Sequence, residues 1–174
     1  MIRPQRFCSA ICLGLLLGVT VSAQTAPPAS ASGPAISLGV SGEVERPLKL
    51  TAADLAKLPQ RNVRAQGHDG KEAEFAGVPL VEVLKLAGVK FGEHLRGKNL
   101  ALYLVVEAAD GYRAVYALPE LDPAYTDKII LLADKRAGKP LDEKEGPLRM
   151  VIPDEKRQSR WVRQVINLVI KRSS

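Results

Sequence analysis

The side chains able to do chemistry in this sequence are cations gathered toward its C-terminal end and carboxylates scattered in small groups. Thiols occur only at Cys8 and Cys12. Arg149 stands in Gly146-Pro147-Leu148-Arg149, at the start of an apolar run. A planar guanidinium there can fork onto a phosphate or carboxylate ligand, or pair with a carboxylate of the core and order a sheet. Lys156, Arg157, Arg160 and Arg163 follow, interleaved with Gln158, Ser159 and Trp161. That cluster can cradle an anionic head group or an oxyanion, or it can be a solvated loop and strand edge. Trp161, the sole tryptophan, reads as a packing residue of the core or rim.

His68 precedes Asp69-Gly70, and as a ligand or acid–base group it would need partners. His94 is the only other histidine and lies far along the chain, so no zinc-ligand spacing exists. Glu43 and Glu45, Glu72 and Glu74, and Asp142, Glu143 and Glu145 have the spacing of solvated faces. A glycosidase pair would need facing cleft walls, which spacing does not supply. There is no Gly-x-Ser-x-Gly for a serine hydrolase and no phosphate-binding glycine loop.

What surrounds these residues bounds their setting. Arg3 and Arg6 precede an apolar stretch from Ile11 to Val21 that ends in Val21-Ser22-Ala23. This predicts a cleavable secretory signal over residues 1–23, cut after Ala23. The stretch falls short of the roughly 18 uninterrupted apolar residues of a membrane anchor, so no transmembrane segment is expected after cleavage. Both cysteines would leave with the signal, and with them any disulfide, thiolate ligand or cysteine nucleophile. Residues 24–35, rich in Ala, Pro and Ser, read as a flexible spacer. Residues 36–172 then form one domain, of a size that can bury a core. The formal charge of +6 is spread along the chain, which implies an anionic ligand rather than a nucleic-acid surface.

The elements that must position the cations are mostly strands. Ile36, Leu38 and Val40 alternate with small polar residues, the period of a half-buried strand. Leu48-Lys49-Leu50 is a short extended piece, and Thr51 to Asp54 reads as a helix N-cap with an acid at its third helical position, before Pro59 ends the helix. Val63–Gly67 and Glu72–Phe75 flank Asp69-Gly70, a two-residue hairpin signal. Val78 to Ala87 predicts a helix with Leu80, Val83, Leu84 and Ala87 on one face and Gly88 as its stop. Leu100–Val106 turns at Asp110-Gly111 into Tyr112–Tyr116, a second hairpin. Ile129–Leu132, Met150–Ile152 and Val162–Ile170 complete the strands. The fold class is α+β, a mixed or barrel-like sheet with a few short helices.

Several of these pieces, in this order, resemble the sulfite oxidase family of molybdopterin-dependent oxidoreductases. Gly77-Val78-Pro79-Leu80 with Val83-Leu84 and Ala87-Gly88-Val89 is similar to its G-V-P-L helix. Asp110-Gly111-Tyr112 resembles its D-G-Y hairpin. Gly146-Pro147-Leu148-Arg149 with Val151-Ile152-Pro153 resembles its G-x-P-L-R segment, followed by Arg160-Trp161-Val162-Arg163. The likeness runs from about Ile36 to Arg172.

The resemblance implies a molybdopterin-binding fold, with Arg149, Arg160, Arg163 and His68 around the cofactor pocket. It also implies a cysteine whose thiolate binds molybdenum, twelve residues before the helix glycine in compact members. That position is Ala65 here, which has no donor atom. The glycine-aromatic-lysine run that often contacts the pterin phosphate is absent before Arg160, and the domain is shorter than most family enzymes.

Three functions fit these observations. One is an exported, periplasmic or secreted, non-catalytic binder of a small anionic ligand or redox partner. Another is a molybdopterin-dependent oxidoreductase without a cysteine ligand. The third is an interaction module of a membrane redox system, in which the pocket is collapsed. They differ in whether basic side chains converge on an open cavity beside residues 64–68.

Overall fold

Strands form where apolar residues alternate with small or polar ones. In β1 (Ser37–Gly42) Leu38 and Val40 are buried while Ser37 and Ser41 face outward. The computed structural model describes residues 35–173; the expected signal, and all of the spacer before Ala35, lie outside the described residues.

β1 pairs in parallel with β10 (Val165–Arg172) and antiparallel with β2 (Leu48–Thr51). On the other side of β10 come β5 (Leu102–Ala108) and then β6 (Arg113–Ala117), giving a mixed five-stranded sheet in the order β2-β1-β10-β5-β6. The second sheet is antiparallel, in the order β3-β4-β7-β8, with β9 also on β7. Its members are β3 (Arg61–Gln66), β4 (Glu72–Pro79), β7 (Leu131–Arg136), β8 (Lys139–Pro140) and β9 (Arg149–Val151). The α+β class and the mixed pairing are as expected. The two sheets do not close into a barrel.

One core cluster joins them. It takes Leu104 and Val106 from β5, Leu168 and Ile170 from β10, and Phe75, Leu131, Leu132 and Met150 from the second sheet. Helix α2 (Leu80–Leu86) inserts Leu80, Val83 and Leu84, with Ala87 beside them, on the predicted face. Burying such side chains contributes about 1.5–3 kcal/mol each before entropy is set against it. Gly77 marks a β-bulge where β4 crosses β7. A β-carbon there would stand 2.2 Å from the Leu132 carbonyl oxygen, so only glycine lets the strands approach.

The short helix α1 (Ala52–Leu55) begins with the predicted cap. Asp54 N–H donates to Thr51 Oγ1 at 3.4 Å, and Thr51 N–H donates to Asp54 Oδ2 at 3.1 Å.

Several boundaries differ from the sequence expectation. Leu100 belongs to a 3₁₀ turn, Gly97–Ala101, so the next strand starts at Leu102. Ile129 and Ile130 precede β7. The last strand begins at Val165 rather than Val162, because Gln164 takes φ of 49° and breaks the extension. Both hairpin loops hold three residues, not two. Gly67 N–H donates to Lys71 O at 2.8 Å across 68–70, and Ala108 N–H to Tyr112 O at 2.9 Å across 109–111. Gly70 (φ +73°) and Gly111 (φ +86°) fill the left-handed position that such loops require.

Candidate functional site

The two hairpin tips come together. His68 and Gly70 from the β3–β4 tip, Asp110 and Tyr112 from the β5–β6 tip, and the segment 156–163 surround one open cavity of about 740 Å³. Each tip is stiffened by its own aspartate. Asp69 Oδ1 accepts from Lys71 N–H at 3.1 Å, and Asp110 Oδ1 accepts from Tyr112 N–H at 2.9 Å.

The third wall is fastened to both tips. Tyr112 Oη donates to the Ser159 carbonyl at 2.6 Å, and the Gln158 side-chain amide donates to the Gln66 carbonyl. A 3₁₀ turn over Gln158–Arg160 carries this wall into Trp161, which is buried with one edge on the cavity. The indole N–H of Trp161 is buried and has no hydrogen-bond partner among the described residues. A buried donor left in that state is unusual.

The charge on the walls is positive. Lys156, Arg157 and Arg163 line the cavity with His68. Among the described residues none of these three cations forms an ion pair. Among the lining residues only Asp110 carries the opposite charge, and the concave wall concentrates the positive field.

Of the four residues expected at the site, the structure brings two to the cavity, Arg163 and His68. Arg149 is elsewhere. Its side chain is 1% exposed, with Nη1 2.5 Å from Glu145 Oε1. Its Cζ sits 5.3 Å from the Phe75 ring centroid and 5.5 Å from that of Trp161. It packs behind the cavity wall rather than on it, as the core-pairing reading of this residue describes. Burial pulls its pKa down from the usual arginine value, against the opposing pull of Glu145.

Arg160 also points away from the cavity. It pairs with Glu155 and, at 3.0 Å, with Glu120, and stacks 4.8 Å over the Tyr116 ring. Burial opposes its charge, and the two hydrogen-bonded carboxylates outweigh that and raise its pKa. The Tyr116 hydroxyl donates to the Arg160 carbonyl, and burial raises its pKa well above the phenolic value.

Sequence reasoning passed over Tyr112 and Gln158, which tie the walls together. The signal available was the repeated Asp-Gly tip, since two loops of one type can only share a site if their strands' ends converge.

Ala65 sits in β3 opposite Ala73, 6% exposed, one residue before cavity-lining Gln66. It offers no donor atom. Among the described residues no group of three or more His, Cys, Asp or Glu side chains is arranged to hold a metal. The residues present suit an anion, including the phosphate-bearing end of a pterin. The position that matches the family's metal-ligating cysteine supplies no donor atom.

Comparison with known proteins agrees with this architecture. The family described as oxidoreductase molybdopterin binding domain matches residues 25–173. The sulfane dehydrogenase SoxCD from Paracoccus pantotrophus superposes with a TM-score of 0.61 at 25% identity, over 77% of this chain. The match spans 37% of the SoxCD chain's length. No curated protein sequence matches. The chain belongs to the oxidoreductase molybdopterin-binding domain family, with the sulfite oxidase-type fold.

Proposed function

We propose that this chain is an exported, non-catalytic member of its family that binds a small anionic ligand between the hairpin tips. One observation carries the reading: Lys156, Arg157 and Arg163, free of ion pairs among the described residues, share a cavity with His68, while the metal-ligand position is a buried alanine. The cations supply long-range attraction and can make charge-assisted hydrogen bonds to the ligand. His68, Lys156, Arg157 and Arg163 would hold an anion, and Ala65 offers no thiolate to a metal.

Export rests on the N-terminal segment, with cleavage after Ala23 and a periplasmic or secreted product. No helix among the described residues is long and apolar enough to cross a membrane. A redox protein presenting an acidic face is the partner that the same basic wall would suit.

Family membership favours a second reading, in which the anion is molybdopterin itself and the pterin dithiolene alone holds molybdenum. That cofactor would supply the redox chemistry, and the chain would contribute its basic walls.

The deciding experiment is purification from cells competent in molybdenum-cofactor synthesis, followed by elemental analysis and pterin fluorescence. A folded protein without molybdenum supports the proposal. Near-stoichiometric molybdenum overturns it in favour of an enzyme with unusual ligation. N-terminal sequencing of the periplasmic product tests cleavage after Ala23 in the same preparation.

A further inference from the structure

We infer that Arg136, which does not line the cavity, is a positioning residue for it, locking the tip that carries His68. The inference rests on the cavity reading above and deepens it. Arg136 ends β7 directly across the sheet from Phe75, and its Cζ lies 5.5 Å from that ring's centroid. From there Nη2 reaches both carboxylate oxygens of Asp69 at 2.9 Å. Asp69 is the central residue of the tip between His68 and Gly70, both of which face the cavity.

The chain makes room for this contact. A β-carbon on Gly67 would stand 2.7 Å from Arg136 Nη2 and 2.7 Å from Asp69 Oδ1. The ion pair therefore lies directly over the Gly67 α-carbon, at the base of the loop.

Glu145 extends the lock to the opposite wall. Its Oε1 stands 3.8 Å from Arg136 Nη1 and 2.5 Å from Arg149 Nη1, so one carboxylate is shared by two guanidiniums. Its backbone carbonyl accepts from Gln164 N–H at 3.2 Å, next to cavity-lining Arg163. Side chain and backbone of a single residue thus connect the His68 tip to the Arg163 wall. Phe75 and Trp161, packed edge to face at 6.1 Å, fill the space between. A site held within a fraction of an ångström by such supporting contacts binds more tightly than one left to find its geometry.

The test uses the full chain, with inorganic phosphate as the probe and fluorescence of the single tryptophan, Trp161, as the readout. Hydrogen exchange at the Gly67 and Gly70 amides reports the tip independently of binding. Arg136→Gln is expected to accelerate exchange at both amides and to weaken phosphate binding about ten-fold, the factor that about 1.4 kcal/mol makes. Asp69→Asn should do the same, and the double variant should be no worse than either single one. Arg136→Lys keeps the charge but has no second nitrogen to face Glu145 while the first holds Asp69, so it should restore the tip only in part.

Unchanged exchange in Arg136→Gln overturns the lock. So does faster exchange with unaltered phosphate affinity, or additive losses in the double variant. If the unaltered protein binds no phosphate, the cavity reading falls, and the exchange measurement still decides whether Arg136 fixes the tip.

Discussion

Arg149 and Glu145 form an ion pair at 2.5 Å on side chains that are 1% and 14% exposed, directly behind the aromatic wall of the cavity. Charges so far from water are costly unless matched, and neither Nε nor Nη1 of Arg149 makes a well-aligned hydrogen bond among the described residues. The guanidinium's remaining compensation comes from the faces of Phe75 and Trp161. Removing the carboxylate leaves a buried cation without a counter-charge. Glu145→Gln is therefore expected to cost about 3–5 kcal/mol in urea unfolding. Arg149→Met, which fills similar volume without a charge, should cost distinctly less. A negligible loss in Glu145→Gln would mean that Arg149 is held by packing alone.

The exposed cations should behave in the opposite way. Lys156, Arg157 and Arg163 are exposed and make no ion pair among the described residues, so replacing each with glutamine should change stability by no more than about 0.5 kcal/mol. Each change should weaken phosphate binding, and raising salt should weaken it further by screening. Arg160→Gln separates the two classes. It removes a cation shared by Glu120 and Glu155 away from the cavity, so it should lower stability and leave phosphate affinity nearly intact. Parallel loss of affinity in all four variants would point to a diffuse surface field rather than a site.

Low pH should loosen two local structures before the core. Asp54 has its pKa lowered from 3.8 to about 2, first by the Thr51 hydroxyl, then by the Thr51 amide and Lys57. Asp69 is lowered from 3.8 in the same direction, chiefly by the Lys71 amide and then by Arg136, against desolvation. A lowered folded-state value means that each carboxylate contributes its stabilisation above pH 3.8. That contribution disappears as pH falls through the folded value. Protection of the α1 and Gly67–Lys71 amides, taken relative to the intrinsic exchange rate at each pH, should therefore fall between about pH 4 and pH 2 while β5 and β10 remain protected. Thr51→Ala should move the α1 response to higher pH and leave the tip unchanged.

How far the sequence alone reaches is plain from particular residues. Leu38 and Val40, the Thr51–Asp54 cap, and the Leu80, Val83, Leu84 face of α2 were readable because each is a local pattern with one physical solution. The end of Val162–Gln164 was not, because Gln164 is turned by a tertiary contact, its amide donating to Glu145. Arg149 and Arg163 look alike in sequence, each beside apolar residues in a family-like segment. Their environments differ because β9 buries every side chain while Arg163 precedes the strand. The Arg136–Asp69 contact joins residues 67 apart in sequence, from the end of β7 to the neighbouring β3–β4 tip, and leaves no periodic trace.

Ala65 provides the remaining test, since the sequence has no cysteine beyond Cys12. The residue is 6% exposed and does not line the cavity, whereas its neighbour Gln66 does. In a strand, adjacent side chains take opposite faces, so position 65 looks into the core and position 66 toward the tips. A thiol at position 65 would be shielded, and desolvation would raise its pKa and slow its attack on disulfide reagents. Ala65→Cys is accordingly expected to label at least about ten-fold more slowly than Gln66→Cys under native conditions, and equally fast once unfolded. Equal native rates would show that position 65 opens to the cavity. In that case a lost thiolate would be the whole difference from a metal site, and molybdenum content of Ala65→Cys would become the decisive measurement. Slow labelling means that position 65 is shielded from the cavity, so that one restored sulfur would not by itself present a ligand to it.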